Sequence, residues 1–292
     1  MKDSEHISSL SYGYTAGASY RTSFTSHYTR SYLLTTVNSG GDGKGVLGSL
    51  TLGGYDKSRF VANDVSFDIN SSTTADFVVQ LASITAHPDA AVSNDSVPIT
   101  NGPIYTFVNS AVPDMWLPDT VCAGFASVLG LIYDSAQNTY VINSSSVPGD
   151  DQIEYDLTFS FLSNDSRAVD IIIPYASFDL SSKPDPHNEL NRTRYFPLRN
   201  ATDNVYTLGR AFLQETYIIV DHERGNFSLH QAHFDVQKDI VAIEPITGQN
   251  PPTNNTNTGS SSTSLVSHRS TWIGSVAGAL VIFTFIVIMM YV

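Results

Sequence analysis

The sequence predicts an all-β domain that carries one helix of its own and is followed by a polar tail and a hydrophobic terminal helix. Three observations predict it. Short apolar runs recur between clusters of Gly, Asn, Asp and Ser, the punctuation of strands and turns. The 292 residues are 41% hydrophobic and include 15 Phe and 15 Tyr, enough to fill a sizeable core. After Pro245 the composition changes abruptly, which marks the end of the packed region.

In chain order, residues 12–37 are mostly Ser, Thr, Tyr and Gly and read as loops and short exposed strands, with nothing that stands alone as a core. A Gly-rich break at 40–45 precedes a strand at 46–52, where Leu50 and Leu52 alternate with small polar residues as in a half-buried strand. Gly53-Gly54-Tyr55-Asp56 then forces a turn. These glycines lack the Gly-x-x-x-x-Gly-Lys-Ser/Thr spacing of a phosphate loop, and no helix follows them. Strands are expected at 77–84, 105–108, 139–142, 155–161, 169–173, 217–220 and 227–229. The loop Asp221-His222-Glu223-Arg224-Gly225 joins the last two as a hairpin. The one helix expected within the domain follows Trp116-Leu117. Pro118 suits its first turn, Val121, Cys122, Phe125, Val128 and Leu129 fall on one face, and Gly130 ends it.

Residues 245–271 are dominated by Asn, Thr, Ser, Gly and Pro and read as a disordered stalk. Residues 272–292 carry no charge over a length that spans a bilayer. Two readings of this segment stand: a single transmembrane helix, or a GPI signal whose tail is removed after small residues at 259–262 and a polar spacer. Sequons at Asn70, Asn94, Asn143, Asn164, Asn191, Asn200, Asn226 and Asn254 all precede Trp272, so the chain is expected to be a glycoprotein on the extracellular face of a membrane. No signal peptide is visible at the polar start, which suggests a fragment of a longer secretory protein. The net charge of −13, from 15 basic and 28 acidic residues, argues against nucleic acid as a partner, because phosphate binding needs clustered Lys and Arg.

Chemistry concentrates in Ile104-Tyr105-Thr106-Phe107-Val108-Asn109-Ser110-Ala111-Val112-Pro113-Asp114-Met115-Trp116-Leu117-Pro118, an apolar strand running through a small polar turn into Trp-Leu-Pro. This stretch resembles the active-site turn of pepsin-like (A1) aspartic peptidases, of the fungal membrane-anchored type. There a strand delivers Asp-Thr/Ser-Gly into a cleft, nine residues before the proline. Here the catalytic Asp position reads Asn109, with Ser110 in the Thr/Ser place and Ala111 in the Gly place. Three further stretches carry the likeness: 48–56, which is similar to the opening of the family's C-terminal lobe; 173–179 with 195–198, which resembles its later core; and Thr207-Leu208-Gly209-Arg210-Ala211-Phe212-Leu213-Gln214 with 217–221, which looks like its closing strand and hairpin.

The resemblance implies a C-terminal pepsin-like lobe over 46–244, preceded by a remnant of the inter-lobe region at 1–45. It places Asn109 at the catalytic position and Ser110 and Ala111 against a peptide or protein ligand in the cleft. It also implies that this chain is inactive. The reaction needs two carboxylates sharing one proton, and an amide neither takes a proton from water nor joins such a pair. The alternatives are an active acid endopeptidase in a longer form, or a non-catalytic binding glycoprotein of the cell envelope.

No other residue offers a replacement. Asp114 lies five positions beyond Asn109, too far along the turn for a base that needs hydrogen-bond reach, and Asp119 reads as a helix N-terminal acid. His230 and His233 sit on opposite faces of a strand and read as ordinary surface histidines, so no metal site is expected. Cys122 reads as a buried structural thiol, and no Gly-x-Ser-x-Gly elbow is present. No cofactor is expected.

Overall fold

The computed structural model describes residues 9–18, 20–21, 45–70, 76–88, 95–100, 102–142, 155–181, 193–234 and 243–245. Through these residues the chain is all-β. Three sheets carry most of the strands. The expected stalk and terminal helix at 245–271 and 272–292 lie almost wholly outside the described residues, and among those described no helix is long and apolar enough to cross a membrane.

The first sheet has the order Val46–Leu52, Ser11–Ala18, Thr216–Asp221, Asn226–Ala232 and Phe60–Val61, with Phe67–Asp68 also paired to the fourth of these strands. The Ser11–Ala18 strand corrects the reading of this region as loops and exposed strands, because it pairs on both sides, with Leu52 opposite Tyr12 and Ile219 opposite Gly13. Its Gly, Thr and Ala residues suit an interior where bulk comes from elsewhere. The Tyr217 phenol lies under Gly13, and its hydroxyl accepts the Asp56 N–H at 3.0 Å. The same crowding inverts the expected face of the neighbouring strand. Ser49 and Thr51 are buried there, while Leu47 and Leu52 are 46% and 53% exposed.

The second sheet orders Ala168–Pro174, Tyr155–Leu162, Val78–Pro88, Ile104–Val108, Thr207–Leu208, Met115–Leu117 and Leu198–Asn200. Its first two strands alternate strictly: in Tyr155–Leu162, Leu157, Phe159 and Phe161 are buried, while the residues between them are more exposed. Rings from several elements meet in the core. Phe212 lies 5.8 Å from Phe159 and 5.5 Å from Phe161, and Phe196 lies 5.6 Å from Phe125 and 4.9 Å from Phe178. Burying side chains of this size contributes roughly 2 to 3 kcal/mol each, so the rings add substantially to the aliphatic core that holds the layers together.

The helix Asp119–Leu129 forms where the sequence places it, with Pro118 one position earlier than expected, as the cap. The Pro118 carbonyl accepts the N–H groups of Val121 and Cys122, both at 2.9 Å. Val121, Cys122 and Phe125 are buried, and Val128 and Leu129 pack at the edge of the core. Gly130 ends the helix in the left-handed region, φ 66°, where a side chain would be strained. The hairpin between Thr216–Asp221 and Asn226–Ala232 closes with Asp221 opposite Asn226, as expected.

Candidate functional site

Asn109 stands at the end of the Ile104–Val108 strand, and its N–H donates to the Leu208 carbonyl at 3.0 Å. The Thr207–Leu208 strand runs parallel to Ile104–Val108 and antiparallel to Met115–Leu117, so it is wedged between the entry and exit of the turn. The Asn109 side chain is half-buried and folds back on its own backbone, Oδ1 accepting the Ala111 N–H at 2.8 Å. A short polar side chain that bonds two residues ahead is a common way to fix a tight turn. Ser110 and Ala111 are exposed at the tip.

The far side of the turn rests on the short helix Arg210–Leu213. The N–H groups of Arg210 and Ala211 donate to the carbonyls of Val112 and Pro113, both at 2.9 Å. This approach requires glycine at 209: a Cβ there would lie 2.3 Å from the Asp114 carbonyl and 2.6 Å from that of Val112, both rigid backbone. Phe212, fully buried three residues on, ties the support to the core. Arg210 is exposed, and its Nη1 donates to the carbonyls of Ser110 and Ala111 at 3.0 and 3.2 Å. Burial raises the Tyr14 phenol above its usual range, and the nearby charge of Arg210 works against that rise.

The turn offers no carboxylate of its own. Asp114 is 4% exposed and occupied by Arg199, whose Nε donates to Oδ2. Arg199 also reaches the carbonyls of Gln137 and Asn138 at 2.9 and 3.2 Å and lies over the Trp116 ring at 5.7 Å. Asp119 is exposed on the first turn of its helix. Arg199 and Arg210 are the residues of the site that sequence reasoning passed over. Arg210 follows directly on the Gly209 of a recognised motif, whereas Arg199 lies 85 positions from its carboxylate and left no signal.

Cys122 is fully buried, its Sγ 3.5 Å from the carbonyls of Leu117 and Arg199, and burial pushes the thiol up to about 12, which removes it as a nucleophile. His230 corrects the surface reading: it is 4% exposed, 4.6 Å from the Phe60 ring, and burial lowers it to about 4. Its Nδ1 accepts from the Asn63 side chain at 3.0 Å and its Nε2 meets Ser228 Oγ at 2.8 Å. Asn63 is held in place by Val65 N–H on its oxygen and by the Leu229 carbonyl on its nitrogen, which fixes it as a donor to the ring. The imidazole therefore carries its proton on Nε2 and donates to Ser228, the reverse of what a base activating a serine does. His233 is exposed, and no metal-binding group of His, Cys, Asp or Glu forms among the described residues.

Of the sequon residues, Asn164 is exposed in the turn between Tyr155–Leu162 and Ala168–Pro174. Asn70, Asn200 and Asn226 are half-buried, and Asn200 Oδ1 accepts from the Tyr140 hydroxyl at 2.7 Å. Asn94, Asn143, Asn191 and Asn254 lie outside the described residues.

Comparison with known proteins places this geometry in context. The family model for eukaryotic aspartyl proteases matches residues 35–232. Candidapepsin from Candida tropicalis is 23% identical over 196 residues, covering 67% of this chain and 42% of its own length, so the chain spans less than half of that relative. An aspartic proteinase from Irpex lacteus, known from a crystal structure, aligns over 79% of this chain and 59% of its own, with 12% identity and a TM-score of 0.48.

Proposed function

Because the chain belongs to the eukaryotic aspartyl protease family, we propose that it is a non-catalytic member that binds peptide at its active-site turn on the outer face of a membrane. The observation that carries this reading is the state of Asn109. Its amide is engaged in holding the turn, through Oδ1 and the Ala111 N–H, and contributes no titratable group. Acid proteolysis by this family's chemistry requires a proton-sharing pair of carboxylates that activates water and protonates the peptide carbonyl. The neighbouring acid is committed elsewhere, since Asp114 is buried against Arg199.

What the turn retains is shape. An exposed rim at Ser110 and Ala111, stiffened from below by the Arg210–Leu213 helix, suits an extended peptide that pairs with backbone groups. The uncharged segment 272–292 and the sequons before it support attachment to a membrane with the folded part outside.

The reading is tested by titrating short extended peptides into the labelled full chain at neutral pH. Amide resonances of Asn109, Ser110 and Ala111 are expected to shift while the peptides remain intact. Unperturbed resonances, or the appearance of new peptide termini, would refute it.

A further inference from the structure

Six of the seven described arginines pair with a carboxylate; Arg210 is the exception among the described residues. The way the others pair shows what Arg210 is missing. Arg21 and Arg194 each present the Nε and Nη2 edge of the guanidinium to an acid, Glu215 and Asp179. Arg199 is the nearer parallel: its Nη1 donates to two main-chain carbonyls and its Nε to Asp114. Arg210 repeats the first half of that arrangement, with Nη1 on the carbonyls of Ser110 and Ala111. Both Nη1 hydrogens are thereby used. The Nε and Nη2 edge, which matches two carboxylate oxygens side by side, remains without an acid.

This guanidinium is held in place, so little side-chain freedom is left to lose on binding. It also stands beside a residue that supplies no counter-charge, since Asn109 is neutral. We infer that Arg210 receives a carboxylate of a peptide ligand lying across the 109–111 turn, which makes acidic or carboxy-terminal peptide segments the ligand class of this site. The inference rests on the peptide-binding reading above. It adds a specificity that the reading lacks: in a chain of net charge −13, which repels anions in general, one fixed cation at the turn selects them locally. Two sources supply the same chemistry, a free C-terminus and an Asp or Glu side chain.

The test compares three acetylated four-residue peptides binding to the full chain: tetra-alanine with a free C-terminal carboxylate, the same peptide as its amide, and an amidated peptide with one internal glutamate. The free acid is expected to bind about tenfold tighter than the amide, as a charge-assisted bidentate contact does. The glutamate peptide regains that advantage if side chains are also accepted and loses it if only chain ends are, and either result keeps the assignment provided the free acid outbinds the amide. In Arg210→Gln the acid's advantage should disappear, and in Arg210→Lys it should be partly kept. Should Arg210→Gln fail to fold, the acid and amide affinities of the unaltered chain still decide the matter. Equal binding of all three peptides leaves the peptide-binding reading standing and overturns the role of Arg210. No binding by any of them overturns both.

Discussion

Asn109 and an aspartate fill nearly the same space, so an exchange between them is expected to leave the turn intact. The Asn109 oxygen that accepts the Ala111 N–H has a counterpart in a carboxylate. Asn109→Asp is therefore expected to fold with a stability within about 1 kcal/mol of the unaltered chain, measured by urea denaturation. By itself it should give no acid proteolysis, because one carboxylate does not make a pair. At His230 the same scale yields a pH dependence. Burial holds this imidazole neutral to about pH 4, while in the unfolded chain it takes a proton near 6.5. Between those values the unfolded state binds more protons, so stability is full above 6.5 and falls as the pH is lowered through 4. The loss is on the order of 3 kcal/mol. His230→Gln should be less stable at neutral pH yet lose less on acidification. Parallel stability curves for the two proteins would contradict this. The histidine was misread from sequence because period-two alternation assigns a side to each residue but does not reveal that Asn63 and Phe60 cover that side.

Among the elements, the short helix Arg210–Leu213 sets the position of the turn. Gly209→Ala places a methyl group against two backbone carbonyls that have no room to move. The turn and the helix should separate, with a loss of roughly 2 to 4 kcal/mol by the scale of steric overpacking and broken backbone bonds. Phe212→Ala opens a cavity beneath the same helix and should cost about 3 to 5 kcal/mol. Hydrogen exchange separates the two cases. Gly209→Ala should expose the amides of 109–114 first, whereas Phe212→Ala should lower protection across the Tyr155–Leu162 strand as well. The strands with clean alternation, such as Tyr155–Leu162, and the helix with its proline and glycine limits were legible in the sequence because each is determined by local chemistry. Ser11–Ala18 was not, since its small residues are explained only by the Tyr217 ring beneath Gly13, more than two hundred positions away.

Across the whole molecule the site is assembled from segments distant in sequence. The turn at 109–111 is marked by a local motif, but Arg199 and Arg210, which bond to Asp114 and to the turn's carbonyls, come from 61 to 100 positions away from their partners. Pairings of that kind follow from sheet order, which strand propensity does not specify. The edge of the first sheet carries a further consequence. Among the described residues Val46–Leu52 ends the strand order with Leu47 and Leu52 exposed, and apolar edges of this kind promote association. Leu47→Lys together with Leu52→Lys is expected to reduce self-association in sedimentation experiments, with no change in the resonances of the turn. Glycan occupancy should likewise follow exposure, with Asn164 modified and Asn200, bonded to Tyr140, largely bare in glycopeptide maps.

With an amide at position 109, this member of a peptidase family is expected to lack peptidase chemistry. The most direct measurement is hydrolysis of an unfolded protein by the purified, unaltered chain at about pH 3 to 5, where a proton-sharing acid pair operates, with and without a transition-state-mimicking aspartic-peptidase inhibitor. No cleavage above the buffer control is expected. Cleavage abolished by the inhibitor would contradict this expectation.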